Sequence, residues 1–488
     1  MELRKIAVPL ILTLCLTLAS CSFIKINRPE DDTDAPDVTA AESAGPDVAP
    51  YDDGREAARA EAAARVASLP DHDFQKDTFT VAVASGITFL PSAAADGYDD
   101  ALIERCRIAG ERYGIKFAQM EAPLELMLSD AYSAYLSGVY YADALMVPQS
   151  ALGELTEKGI PLNTQSVPYA DYSAEYYDRA AMDQATGGYV SPAIIGAASR
   201  DIGSFRCIYV NTALTGADVY AEMREAVRDG SWTWQKLLEI ERGARAADGS
   251  PAAVCASGSD LLADAVYSSS GQNYFSCGFG KTPAVAFETE TTLAAVDVMR
   301  SLFSDGAVFD GQRDGSTALE AFVSGGAVFC VETVGRMLEI SAMGSDWGLV
   351  PMPKVTADQQ DYCSFCSPDA PVFVIPAAGT DPEDAGLAIA ALNAASYGYV
   401  DRCYSDRLVR TAVNNSLTLD MLDYVCGIKG GKGLYEFTEM YASRFPLFDE
   451  DTSGALWELV TGGGKLADKA AASAFDLNWR LRGAFPVS

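Results

Sequence analysis

Histidine is all but missing, since the 488 residues contain only His72. A Ser-His-Asp triad, a Cys-His pair and any histidine-based zinc site are thereby excluded. Basic residues are also scarce, 36 against 68 acidic, for a formal net charge of −32. That balance argues against nucleic acid or an anionic surface as partner, and its plainer consequence is solubility. Long apolar runs are absent too: PAIIGAA and AVFCVE are soon interrupted by charge, far short of the ~20 residues that span a bilayer.

What is present begins at the N-terminus. Arg4 and Lys5 precede Ile6–Ala19, which is apolar apart from Thr13 and Thr17, the charged-then-apolar order of an export signal. The run ends in Leu18-Ala19-Ser20-Cys21, which resembles the bacterial lipobox, where small residues precede a cysteine that is diacylated and becomes the mature N-terminus. The resemblance implies a lipoprotein signal peptide over 1–20, lipidation at Cys21, and a mature chain anchored on the extracellular face of the cell membrane. Residues 21–72 are rich in Asp, Glu, Pro, Ala and Gly. Such a composition predicts a disordered, self-repelling spacer. Roughly 415 residues remain, 49% of the whole being hydrophobic, enough for two or three domains of ~100–200 residues.

Of 11 cysteines, nine remain beyond Cys15 and Cys21, an odd number that cannot all pair within one chain. Most lie in apolar patterns, such as Cys207 in FRCIYVN and Cys330 in AVFCVE, and read as small core hydrophobes. Cys363 and Cys366 form a C-x-x-C without a second one. No metal or cofactor is expected. CGFGKT ends like a phosphate-binding loop, but Phe275 stands where that motif needs glycine. It reads as a turn, as do GIKGGKG and TGGGK.

Strand and helix patterns alternate along the rest. Residues 77–85 read as a buried strand, followed by a helix over 99–113 whose Leu102, Cys106, Ala109 and Tyr113 form one stripe. IKFAQM and ALMVP supply further strands. FRCIYVN opens a second unit, SWTWQKLLEIERGARAADG (231–249) reads as a helix capped by Ser231 or Thr233, and Thr317-x-x-Glu320 as a capping box. Apolar strands alternating with helices predict parallel sheets covered on both faces.

FVSGGAVFCVE followed by DWGLVPMPK (322–354) resembles the extracellular solute-binding proteins of bacterial ABC importers, in the family that includes sugar binders. IYVNTAL with VRDGSWTWQKLLEI upstream, and ADQQDYCSF, DAPVFVIP, DPEDAGLAIAALNAASY and TLDMLDYV downstream, extend the likeness over most of 77–430. The last four are similar to a branch found among anaerobic Gram-positive bacteria. The resemblance implies a periplasmic-binding-protein-like type II α/β fold, with two lobes, a hinge and an interlobe cleft. The N-terminal lobe would combine 73–192 with 375–430, the other 199–368 with 431–488, with crossings in 188–199 and 369–378.

Ligands of open α/β sheets collect beyond the carboxyl ends of strands. That rule selects Ser85 and Gly86, Gln149 and Ser150, Asp201 near the first crossing, and Glu332 after AVFCV. Asn273, Tyr274 and Trp457 are added by the resemblance, at places where sugar binders present polar or stacking groups. Glu332-Thr333-Val334 departs from those members that carry an aromatic residue there.

The reading expected from these residues is a non-enzymatic, monomeric, lipid-anchored binder. It would capture a small solute, a sugar or oligosaccharide by the resemblance, and deliver it by hinge closure to ABC permease subunits. Two alternatives stand beside it: a surface sensor or adhesion lipoprotein of the same fold, and a glycan hydrolase using two carboxylates.

Overall fold

The structure is a computed structural model, and it describes residues 25–27, 54–168, 170–244, 249, 253–256, 259–273, 275–285, 290–304, 308–310, 317–343, 346–411, 416–425 and 431–434. Cys21, Tyr274 and Trp457 lie outside those residues.

Two five-stranded sheets organise the chain, each within its own lobe. The first takes β1 (Lys25–Asn27), β2 (Thr78–Ala84), β3 (Lys116–Ala122), β4 (Ala144–Pro148) and, from far along the chain, β13 (Pro371–Val374), in the order β1-β3-β2-β4-β13. β2, β3 and β4 are parallel, whereas β1 and β13 run antiparallel at the two edges. The second sheet takes β5 (Arg206–Asn211), β6 (Ala253–Ala256), β9 (Val308–Asp310), β10 (Ala327–Thr333) and β11 (Trp347–Val350), in the order β11-β5-β10-β6-β9. Here β6, β9 and β10 are parallel and β5 is antiparallel between β10 and β11. Among the described residues two small pairs are added: β7 (Phe275–Ser276) with β8 (Ala284–Val285), and β12 (Tyr362–Phe365) with β14 (Gly431–Leu434).

The central strands have no polar face because helices cover both sides. Phe79, Val81, Ala82 and Val83 of β2 are wholly buried, and each large apolar side chain so enclosed contributes about 1.5–3 kcal/mol. The helix Gly97–Tyr113 starts where Asp96 accepts from the N–H groups of Tyr98 and Asp99, at 2.9 and 3.0 Å, and stops at Gly114 in the left-handed region. The stripe Leu102, Cys106, Ala109 and Tyr113 is buried, as the spacing predicts. The capping box also forms: Glu320 N–H donates to Thr317 Oγ1 at 3.1 Å, and Thr317 N–H to Glu320 Oε2 at 2.8 Å.

Several expected boundaries differ. Part of the acidic spacer is ordered: Lys25–Asn27 pairs with β3, and Arg55–Ala67 is a helix packed on Pro382–Ser396. Ala58, Ala62 and Val66 supply that helix with an apolar stripe, buried at one helical turn's spacing. Thr233, not Ser231, caps the helix Trp234–Gly243, accepting from Lys236 N–H at 3.3 Å, and the helix ends at Gly243, short of 249. β13 begins at Pro371 in the first sheet, ahead of the expected boundary at 375. The helix Ser416–Val425 packs on β11 and β14 of the second lobe, although 375–430 was expected in the first.

Trp232 and Trp234 are core anchors of the second lobe. Both are fully buried, and their indole N–H groups donate to Pro351 O and to Ser269 Oγ, each at 2.9 Å.

Candidate functional site

The parallel register of β2, β3 and β4 sets their carboxyl ends, Ala84, Ala122 and Pro148, along one edge of the first sheet. β13 starts at that same edge, where Pro371 lies opposite Pro148. In the second sheet the carboxyl ends of β6, β9 and β10 face the edge from which β5 departs, Thr333 lying opposite Arg206. Immediately before β5 and before β13 the chain passes between lobes. These two crossings, 200–205 and 366–370, run side by side: Phe205 bridges to Cys366, and Ser367 N–H donates to Ser204 O at 2.8 Å. Both strand-end edges therefore converge on one hinge, the place where ligands of such sheets collect.

The first crossing lies just beyond the expected range 188–199, and the second overlaps the start of the expected range 369–378. Ile194 exchanges two hydrogen bonds with Phe373 of β13, at 2.8 and 3.1 Å, so it belongs to the first lobe. Asn393, wholly buried, accepts from Ala198 N–H at 3.0 Å and holds the chain there until residue 200. Val400–Thr411 packs on Gly97–Tyr113, whereas Ser416–Val425 packs on β11 and β14 of the second lobe.

The candidate residues divide by role. Ser85 and Gly86 form the turn after β2, exposed at the edge. Ser85 N–H donates to Ala122 O at 2.9 Å, and Gly86 takes φ of 96° with open space where a side chain would stand. Gln149 and Ser150 follow β4 and bond to the second crossing: Gln149 N–H donates to Ala370 O at 2.8 Å and Ser150 N–H to Pro368 O at 3.2 Å. Glu332 stands on the opposing edge, 7% exposed, with Oε2 accepting from Thr333 N–H at 3.1 Å. Next to it Val334 N–H donates to Phe205 O at 2.8 Å, which ties β10 to the hinge. Ser85, Gly86, Gln149, Ser150 and Glu332 thus share the two facing edges.

Asp201 has a different place. Its Oδ1 accepts from Gly203 N–H at 2.9 Å and caps the turn Ile202–Ser204 inside the first crossing. Burial pushes its carboxyl above the usual carboxylate range, with the Gly203 bond pulling the other way. Burial does the same to Asp401, opposed by Arg200, whose Nη1 is 3.5 Å away. Asp201 is a hinge cap with neighbours Tyr98 and Tyr404, not a group on a strand-end edge. Asn273 is half-buried upstream of β7, and its carbonyl accepts from Tyr267 OH at 3.4 Å.

Three features lie at or between the lobes, where the sequence did not place them. Arg105 is buried and donates to Ala198 O at 2.9 Å and Phe89 O at 3.1 Å, linking the helix Gly97–Tyr113 to the segment that leads into the first crossing and to the loop after β2. Cys366 of the C-x-x-C lies in the second crossing, where its sulfur accepts from Gln149 Nε2 at 3.4 Å. Among the described residues no cluster of metal-ligating side chains occurs. The CGFGKT turn joins β7 to β8 and reaches the first lobe. Gly188 N–H donates to Lys281 O at 3.0 Å, Gly280 N–H to Gly188 O at 2.7 Å, and exposed Tyr189 and Phe279 meet edge to face at 5.3 Å.

No protein-family profile matches the chain, and no curated relative matches it significantly. Among solved structures, a cyclo/maltodextrin-binding protein complexed with maltotetraose is similar, with a TM-score of 0.56 at 13% identity, over 84% of this chain and 99% of that one. An ABC substrate-binding protein from Listeria monocytogenes in complex with cycloalternan gives a TM-score of 0.48 at 11% identity, over 83% and 99%. The first of these likenesses and the hinge geometry together give the chain the two-lobed α/β fold of substrate-binding proteins.

Proposed function

We propose that this chain is a lipid-anchored, extracellular solute-binding protein that captures a carbohydrate in the cleft and hands it to an ABC importer. The observation that carries the reading is the convergence of two strand-end edges on paired crossings. In such an arrangement a solute touching both lobes stabilises the closed form by contacts it makes only there. Carbohydrate is favoured as the solute on two grounds. The facing edges offer a hydroxyl, an amide, a carboxylate and an open glycine turn, a set suited to adjacent sugar hydroxyls; and the similar structure named above binds maltotetraose.

Binding without chemistry is the mechanism, with permease subunits reading the closed surface of a monomer. Cys21 supplies the membrane attachment, motivated by LASC. The test is thermal unfolding of the full chain, purified in detergent, against sugars, oligosaccharides, peptides and polyamines. A ligand specific for the folded form, present at 100-fold above its Kd, adds about 2.7 kcal/mol. The expected hit is a sugar or oligosaccharide; a peptide or polyamine hit would overturn the carbohydrate assignment. Cys21→Ala is expected to abolish lipid processing and membrane retention, and unchanged retention would remove the anchor from the account.

A further inference from the structure

We propose that Gln149 is the residue through which a bound ligand acts on the hinge. This rests on the carbohydrate-binding reading above and assigns to it a point of transmission. Gln149 is the first residue after β4 and is 3% exposed. Its side chain is committed at one end: Nε2 donates to Ser367 O at 2.7 Å and to Cys366 Sγ at 3.4 Å, both in the second crossing. The backbone N–H adds the bond to Ala370 O. The Ser367 N–H in turn donates to Ser204 O of the first crossing, so the passage that the amide holds is itself bonded to the other.

The other end of the amide is unmet. Gln149 Oε1 is enclosed and, among the described residues, accepts no hydrogen bond. A buried acceptor without a donor is unfavourable, and native proteins rarely retain one unless a water, an ion or a ligand completes it. Flipping the amide gives no relief, because it would set the oxygen against the Ser367 carbonyl. Gln149 also stands where the carboxyl ends of β2, β3 and β4 meet the hinge, the place where ligands of such sheets collect. A ligand hydroxyl, or a water that the ligand holds in place, supplies the missing donor. The group that receives this bond is the same planar amide that holds Ser367, so occupancy of the cleft fixes the crossing relative to β4. That is the differential interaction a ligand needs in order to shift an open–closed equilibrium.

Two variants of the full chain in detergent test this, with maltotetraose and the rest of the carbohydrate panel as probes. Gln149→Met removes acceptor and donor at nearly constant volume; Gln149→Glu keeps an acceptor and removes the donor to Ser367. Calorimetry reads the Kd, and amide hydrogen exchange reads residues 202–206 and 366–370. In the wild-type chain, ligand should slow exchange in both crossings. Gln149→Met should leave the ligand-free unfolding temperature unchanged or raised, weaken the Kd about tenfold, and lose the ligand-dependent slowing. Gln149→Glu sets a carboxylate oxygen against the Ser367 carbonyl, so it should lower the ligand-free unfolding temperature and lose the slowing; loss of affinity and of slowing without loss of stability in Gln149→Met is the separation that a purely structural role would not produce. Wild-type affinity with wild-type slowing in either variant overturns the role of Gln149 alone. A wild-type chain that binds no carbohydrate overturns the reading on which the role rests.

Discussion

Gly203 lies at the centre of the first crossing, and replacing it by alanine strains the hinge in a calculable way. A Cβ there would sit 2.5 Å from Tyr404 Oη, 3.5 Å from its Cζ and 3.1 Å from Asp201 Oδ1. The tyrosine ring cannot simply bend aside, because it packs edge to face on Tyr98 with centroids 4.9 Å apart. Tyr404 is half-buried, so the ring can swing outward at the expense of that pair. Overpacking of this kind costs about 1–3 kcal/mol, and loss of the aromatic pair alone about 0.5–1.5 kcal/mol; about 1–2 kcal/mol is expected for Gly203→Ala. Urea unfolding followed by tryptophan fluorescence is a suitable assay, since Trp232, Trp234 and Trp347 all lie in the second lobe that the crossing enters. The clash is with the hydroxyl, so Gly203→Ala should cost about 1 kcal/mol less in a Tyr404→Phe background. An equal cost in both backgrounds would refute the reasoning.

Two further outcomes follow from the same packing. Trp234→Ala should lower stability by about 3–5 kcal/mol, whereas Trp234→Phe, which forfeits only the bond to Ser269 and part of the ring, should cost less than half of that, as read by urea midpoints. For Asp201, burial raises the folded carboxyl above its unfolded value, so the stabilising contribution is complete below the unfolded pKa and is lost as pH rises through the folded one. Asp201→Asn keeps an acceptor for Gly203 N–H; the variant should therefore be the more stable protein at neutral pH, with the difference vanishing in acid, and equal stability across that range would contradict the burial argument.

The elements with local signals were legible in the sequence. Residues 77–85 carry the apolar run Val81–Ala84 behind Phe79, the stripe ending at Tyr113 has helical spacing, and Thr317 with Glu320 forms its capping box without tertiary help. Lobe membership was not legible for PVFV, because a strand buried on both faces reads the same in either sheet. The helix Arg55–Ala67 was masked by acidic, Pro-rich neighbours, although Ala58, Ala62 and Val66 held its stripe in view. At the site, strand ends pointed to Ser85, Gly86, Gln149, Ser150 and Glu332. Asp201 was drawn in by position alone, while its Asp-Ile-Gly context carried the signature of an Asx turn. The contact of Tyr189 with Phe279 depends on two turns far apart in the chain, and the passage of Gln149 to Ser367 depends on β4 and β13 being neighbours. Such pairings exist only once the fold has formed.

Calorimetric titration of the full chain in detergent with maltooligosaccharides and a wider glycan set, with the sugars recovered afterwards, bears most directly on binding by hinge closure. Saturable one-to-one binding with the sugar recovered intact is the expected result. Consumption of the glycan without stoichiometric retention would contradict it.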